Sequence, residues 1–162
     1  MLEALRHEGA ASLHRTLAEL PADRFNAFHL LYADCAGAFV TWSDGAVVRQ
    51  EELPPGLHVV TERSLGGDDK PRSELVRDRW ARLGGHSPPS PAALQALLSV
   101  HSDDVLGGTC VHAPAFNYGT RSSMVLLLAR PLAQSRLSWA EGPPCTAPFY
   151  EMDELLRELT NG

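Results

Sequence analysis

Cys110 and His112 stand two residues apart in the run Cys110-Val-His112. If this run is a strand, both side chains point to the same face, with about 7 Å between their Cα atoms, because side chains alternate along a strand. A thiol beside an imidazole is the pair that a cysteine nucleophile requires. The alternative is a buried cysteine next to a structural histidine, and the spacing alone favours that structural interpretation.

A second group of potential ligands lies just upstream, in a polar loop that ends in two glycines. His101, Asp103 and Asp104 could each bind a metal ion. No CxxC pair and no regular Cys/His spacing accompanies them, and such spacing is what typical structural zinc motifs show. We therefore interpret this segment as a solvated loop and predict neither a metal site nor a cofactor.

The stretch Asn117-Tyr-Gly-Thr-Arg-Ser-Ser123 is polar and aromatic, and the apolar run Met124–Ala129 follows it directly. Arg121 stays charged, so burying it requires a carboxylate, a carbonyl or a bound anion as partner. Arg121 could hold an acidic substrate group or a catalytic oxyanion. It could equally form an internal ion pair at the start of a strand. Both interpretations predict a buried, hydrogen-bonded guanidinium.

Cys145 lies in the stiff segment Glu141-Gly-Pro-Pro-Cys-Thr-Ala-Pro-Phe149. Prolines on both sides restrict the backbone to extended conformations. Cys145 could act as a nucleophile, but a buried or half-buried thiol in a rigid loop is the favoured interpretation. The cysteine count of three is odd and the residues are far apart, which fits a reducing compartment better than a disulfide scaffold.

Length and composition restrict the class of protein. The chain has 162 residues, which predicts a single domain over residues 1–162, and 44% of them are hydrophobic. A net charge of −6 argues against nucleic acid as a partner, since phosphate binding requires clustered Lys and Arg. The chain shows no signal-peptide pattern and no apolar run that could span a bilayer, so we expect a cytoplasmic protein without a membrane span.

The hydrophobic pattern predicts an α+β fold with antiparallel sheets covered by helices. The unbroken apolar run Met124–Ala129 predicts a central strand buried on both faces. An antiparallel meander is expected over residues 26–61, with a hairpin turn at Asp44-Gly45. The remaining expected elements are helices over residues 2–20, 71–83, 91–100 (capped by Ser90) and 150–159, and strands over 109–112 and 137–140.

Four segments together suggest a family. Tyr118-Gly-Thr-Arg-Ser-Ser123, placed before an apolar strand, is similar to the YGTRSS signature of the NRDE family, which includes transport and Golgi organisation protein 2. Three further segments resemble parts of the same family pattern and occur in the same order, the last of them as in bacterial members: Arg24-Phe-Asn-Ala-Phe-His-Leu-Leu31, Pro55-Gly-Leu-His-Val-Val60, and Glu141-Gly-Pro-Pro-Cys145 with Pro148-Phe149.

This resemblance implies a fold and an activity. The fold is a four-layer αββα sandwich of the N-terminal nucleophile hydrolase type, of which this chain holds a part. In such enzymes an N-terminal cysteine attacks a non-peptide C–N bond, and its own α-amine can act as the base. By resemblance, Arg121 is the candidate catalytic residue. The residues expected at the binding site are Asn117, Tyr118, Thr120, Arg121 and Ser122.

The chain also departs from the family pattern. Residue 2 is leucine, and the sequence Asn-Arg-Asp-Glu occurs nowhere in the 162 residues. The similarity covers only the C-terminal section of the pattern. We therefore expect a hydrolase-derived chain that is inactive alone and pairs with a missing N-terminal half or a second copy, because uncovered sheet edges favour pairing.

Three origins stay open for this departure: a start codon recorded too late, a true fragment, and a non-catalytic remnant. Whether the chain is an enzyme also stays open. The alternative function is a binding or trafficking module for a haem-like or lipid-like ligand, with no turnover. The sequence does not identify the small-molecule ligand in either case.

Overall fold

The computed structural model describes residues 6–61, 70–84 and 89–160. The fold is mixed α+β, with small antiparallel sheets and helices. The chain divides into two compact units, residues 1–70 and 71–162, and each is described by itself. The single-domain organisation stays a prediction. Within the described residues, no helix combines the length and apolar character needed to cross a bilayer.

In the first unit, the described residues 6–61 form one α-helix packed on a three-stranded sheet. Helix α1 spans Ala10–Leu17, and the strands are β1 (Phe28–Ala33), β2 (Ala38–Ser43) and β3 (Val48–Glu52). The strands are antiparallel and adjacent in chain order, so the predicted meander is confirmed for these elements. Residues 57–61 belong to no strand, and the meander is therefore shorter than expected.

The hairpin between β2 and β3 forms at the predicted Asp44-Gly45 turn. Gly45 has a φ of 93°, which glycine adopts without strain. The Asp44 carboxylate accepts hydrogen bonds from the backbone N–H groups of Ala46 and Val47, each at 2.9 Å. Arg49 donates to the same carboxylate at 2.7 Å and thereby holds the pKa of Asp44 well below its usual range.

The position of Asp34 explains why α1, expected over residues 2–20, begins at Ala10. Its Oδ2 accepts a hydrogen bond from the N–H of Ala10 at 2.8 Å, so a carboxylate from the β1–β2 turn caps the helix at Ala10. Its Oδ1 accepts from the N–H groups of Ala36 and Gly37 within the turn. A Cβ at Gly9 would lie 2.8 Å from Asp34 Oδ2. The first residues of the expected helix, 1–5, lie outside the described residues.

The described residues of the second unit contain three α-helices and two sheets. The helices expected over residues 71–83 and 91–100 lie close to their expected positions, and Ser90 caps the second by accepting a hydrogen bond from the N–H of Ala93 at 3.2 Å. The helix expected over residues 150–159 begins only at Asp153, because Tyr150–Glu151 pair as a strand. A short hairpin precedes a three-stranded antiparallel sheet of order β6-β7-β8. The bounds are α2 Lys70–Arg82, α3 Pro91–Leu98, β4 His112–Ala113, β5 Tyr118–Gly119, β6 Ser122–Leu127, β7 Arg136–Glu141, β8 Tyr150–Glu151 and α4 Asp153–Thr160.

The prediction that Met124–Ala129 is a central strand buried on both faces is wrong. The run does form most of strand β6, but β6 lies at the edge of its sheet and β7 is central. Val125 is buried, whereas Met124 and Leu126 are 52% and 40% exposed. The physical reason is that α3 packs on the Val125 face of the sheet, and no described element covers the opposite face to the same degree.

Candidate functional site

The Tyr118–Ser123 motif forms a tight connection between the short hairpin and the larger sheet. Asn117 turns the chain with a φ of 49°, a left-handed conformation that asparagine tolerates. Tyr118 pairs with Ala113 and is 57% exposed, and Ser122 begins β6. The five residues expected at a binding site therefore lie close together along the backbone, between residues 117 and 122.

The prediction of a buried Arg121 guanidinium is wrong. Arg121 is exposed, and its side chain makes no hydrogen bond or ion pair with any residue in the described ranges. The guanidinium can stay charged because water solvates it, so it needs no buried partner. The backbone of Arg121, in contrast, is engaged: its carbonyl accepts a hydrogen bond from the N–H of Gly142 at 2.8 Å.

Thr120 fixes the residue between Cys110 and His112. Its hydroxyl oxygen accepts a hydrogen bond from the N–H of Val111 at 2.9 Å, and its own N–H donates to the carbonyl of Val111 at 3.0 Å. Both backbone polar groups of the buried Val111 are therefore satisfied by one residue of the motif. A Cβ at Gly119 would lie 3.0 Å from the same carbonyl, so glycine permits this close approach.

The side chains on either side of Val111 belong to a cluster of two cysteines and two histidines, named here the Cys–His cluster: His101, Cys110, His112 and Cys145. Their ligand atoms all lie within 4.8 Å of one another. The Nε2 of His112 is 3.5 Å from Cys110 Sγ and 3.1 Å from Cys145 Sγ. The rings of His101 and His112 meet edge to face, with their centroids 5.2 Å apart.

A tight loop brings His101 back to Cys110. The N–H groups of Thr109 and Cys110 both donate to the carbonyl of Val100 at 3.0 Å, and the Thr109 hydroxyl donates to Leu97 at the end of α3. Gly108 is required at the centre of this loop. A Cβ there would lie only 2.7 Å from the Val100 carbonyl oxygen and 3.1 Å from the Cα of His101.

The segment after β7 delivers Cys145. Gly142 turns the chain with a φ of 115° while its N–H donates to Arg121. The hydroxyl of Ser99 donates to the carbonyl of Pro144 at 3.0 Å, which ties the segment to the end of α3. The N–H groups of Thr146 and Ala147 then donate to the carbonyl of Pro143 and close a turn around Cys145.

The environment of Cys110 favours the neutral form of its thiol. Burial is the main cause that raises the pKa of the Cys110 thiol, and the nearby Cys145 thiol contributes to the shift. Cys145, His101 and His112 are exposed. The cluster therefore combines one buried and three accessible groups that can act as metal ligands, and its His112–Cys145 contact also has the geometry of a thiol–base pair.

All four cluster residues are candidates from the sequence, but their positions in the sequence do not indicate that they lie together. Cys110 is buried and its Sγ lies 3.5 Å from His112 Nε2, which both the nucleophile-pair interpretation and the structural interpretation allow. His101 joins the cluster, whereas the other two residues considered with it do not. The carboxylate of Asp104 accepts a hydrogen bond from the N–H of Leu106 within its own loop. The ligand atoms come from three separate segments, and their spacing gives no local signal.

A separate cavity lies in residues 1–70, beside α1 and the start of β1. Its volume is about 520 Å³, and most of its lining is apolar, including Leu13, Leu17, Phe25 and Phe28. His29 also lines it, and its Nε2 atom is buried without a hydrogen-bond partner among the described residues. Cavities of this size and character are typical of small-molecule sites.

Comparison of the chain with protein-family models, with curated proteins and with solved structures finds no match.

Proposed function

We propose that this chain corresponds to the C-terminal section of an NRDE family domain, derived from a hydrolase of non-peptide C–N bonds and inactive by itself. The proposal starts from the resemblance of four segments, with Tyr118–Ser123 as the most specific. The chain contains no N-terminal cysteine, serine or threonine at residues 1–2 and no Asn-Arg-Asp-Glu sequence, so the residues that perform the family chemistry are not among these 162.

The observation that carries the proposal is the half-covered sheet in residues 71–162. Helix α3 packs on one face, where Val125 and Ala140 are buried. On the opposite face the apolar residues Met124, Leu126 and Tyr150 are 40–61% exposed. One helix layer on one sheet, with an apolar face left open, supports the proposal, because half of an αββα sandwich would leave open the face that a second sheet covers.

Two measurements test this proposal. The purified chain, assayed against a panel of N-acyl amides, should show no turnover above the background of a Cys110→Ala/Cys145→Ala variant. Turnover that disappears in that variant would overturn the proposal, because an internal thiol would then be the nucleophile. The reading frame upstream of Met1 should encode Met-Cys followed by Asn-Arg-Asp-Glu, or a separate gene should encode that section; finding neither would remove the family basis.

A second candidate function is a binding module for a haem-like or lipid-like ligand. The apolar cavity of residues 1–70 favours it, because its volume suits a small ligand and its lining offers few polar groups. The imidazole of His29 is the one lining group with a buried, unpartnered polar atom in the described part of the chain. A ligand that accepts from or coordinates to this nitrogen would satisfy it.

Haem and a fluorescent fatty acid are the probes for this second candidate. Saturable binding of either should be lost in Ala27→Trp, which places an indole at the cavity lining. The matched control is Ala46→Trp, an exposed alanine in the β2–β3 hairpin, which should bind as the unmodified chain does. Equal binding by both variants would exclude the cavity as the binding site.

A further inference from the structure

We propose that the Cys–His cluster binds a zinc ion in tetrahedral coordination, a role that goes beyond the proposed function and does not depend on it. The four ligands are two thiolates and two imidazoles, a Cys₂His₂ set. They are contributed by the loop after α3, by the residues that lead into β4, and by the turn after β7.

The distances fit this coordination. With Zn–S bonds of about 2.3 Å and Zn–N bonds of about 2.0–2.1 Å, neighbouring ligand atoms in a tetrahedral site lie about 3.3–3.8 Å apart. The His112 Nε2 atom is 3.5 Å from one thiol sulfur and 3.1 Å from the other. Since no pair in the cluster exceeds 4.8 Å, closure around an ion needs side-chain movements of about 1 Å.

The backbone holds the ligands in place through bonds that do not use the ligand atoms. Thr120 binds both polar groups of Val111, so the two flanking ligands keep their relative positions. The contact of Gly108 with Val100 keeps His101 close to Cys110. Arg121 and Ser99 hold the segment that carries Cys145. A site prepared in this way loses little conformational entropy when the ion binds.

The ligand chemistry selects the metal. Thiolate and imidazole suit zinc, whereas magnesium and calcium require oxygen ligands. Two thiolates also neutralise the double charge of the ion. All four coordination positions are filled by protein, which is typical of a structural zinc site and not of a catalytic one, since catalysis requires an open position. Three of the four residues are exposed, so the ion has a path into the site.

Two other roles for the cluster account for fewer of its contacts. A nucleophile–base pair uses Cys145 and His112 only, and it does not explain why His101 and Cys110 lie close to them. A disulfide uses the two cysteines only, and both are free thiols in this structure. Zinc binding uses all four groups at once, which is why we favour it.

Zinc content and cobalt spectroscopy on the full chain test the proposal. The chain purified with zinc should retain an equimolar amount of metal after gel filtration. Cobalt in place of zinc should give the intense visible absorption of tetrahedral coordination together with thiolate charge-transfer bands. Cys145→Ser and His101→Gln should each lower the zinc affinity at least about tenfold, since loss of even an outer partner costs 10–100-fold. Both residues are exposed, so these variants should still fold.

The matched control is Cys35→Ser, an exposed cysteine outside the cluster, which should bind zinc as the unmodified chain does. In alkylation followed by mass spectrometry, zinc should protect the exposed Cys145 while the exposed Cys35 reacts, and a chelator should remove the protection of Cys145. An octahedral cobalt spectrum, unchanged affinity in both cluster variants, or a Cys110–Cys145 disulfide in the freshly purified chain would each overturn the proposal.

Discussion

The Thr120→Val substitution removes one hydrogen bond between the Tyr118–Ser123 motif and the backbone of the Cys–His cluster. Valine keeps the branched shape of threonine but lacks the hydroxyl, so the N–H of Val111 loses its 2.9 Å partner. Val111 is only 6% exposed, and water cannot easily replace that partner. A buried donor left without an acceptor costs about 1–3 kcal/mol. We expect the free energy of unfolding of residues 71–162 to fall by that amount.

Urea unfolding gives the magnitude. With a denaturant dependence of about 2 kcal/mol per molar urea, the loss lowers the midpoint by about 0.5–1.5 M. Because the chain has two compact units, the transition is best followed by pulsed hydrogen–deuterium exchange of peptides from residues 71–162. The Val111 amide itself should exchange faster in Thr120→Val, and Thr120→Ser, which keeps the hydroxyl, should restore most of the protection.

Thr146→Val is the matched control, because it removes an exposed hydroxyl from the same unit, whose bond to Pro143 is long at 3.3 Å. Its free energy of unfolding should change by no more than an ordinary surface substitution causes, about 0.5 kcal/mol. Thr120→Val and Thr146→Val could instead have the same urea midpoint and the same Val111 exchange rate. In that case the Thr120 side chain does not hold the backbone of the Cys–His cluster, and the prediction is wrong.

Three further predictions concern other contacts. Arg121→Ala should change the free energy of unfolding by less than about 0.5 kcal/mol, since the side chain is exposed, and a larger loss in a chemical denaturation curve would show a partner that the structure lacks. Asp34→Ala should lower the thermal stability of residues 1–70 by about 0.5–2 kcal/mol through loss of the cap on Ala10, while Asp34→Asn should lose less, as circular dichroism can show. Burial raises the pKa of Tyr32 above its ordinary value of 10.0, so its contribution to stability is fully present below pH 10 and is lost as the pH rises through the higher folded-state pKa. Tyr32→Phe should therefore flatten the alkaline limb of the stability profile, and an unchanged limb would contradict this.

The elements with local signals were predictable from the sequence. The Asp44-Gly45 turn and the Ser90 cap are each fixed by residues within a few positions, and both are confirmed. The start of α1 was not predictable, because the residue that caps it, Asp34, is 24 positions away. The exposure of Met124 was also missed, since an unbroken apolar run does not reveal which faces of a strand other elements cover.

The Cys–His cluster could not be predicted either, because its members are also far apart in the sequence. His101 and Cys110 are nine residues apart, and Cys145 lies 33 positions after His112, so the set has no recognisable motif spacing. What joins these residues is a set of hydrogen bonds to backbone groups, several of them made by the hydroxyls of Ser99, Thr109 and Thr120, and no local sequence motif marks such long-range pairs. Gly108 and Gly119 are the sequence features that accompany the cluster, because a Cβ at either position would lie too close to a carbonyl oxygen.

The structure also changes the meaning of the Tyr118–Ser123 motif. Its charged residue suggested a direct role at a substrate, yet Arg121 contributes a carbonyl and Thr120 a hydroxyl, and both act on segments that carry cysteines. A motif that acts through its backbone and one hydroxyl can persist where no substrate contacts it. The similarity to a hydrolase signature is therefore compatible with a chain whose own chemistry is the binding of a metal ion, and the zinc and amidase measurements separate these two properties.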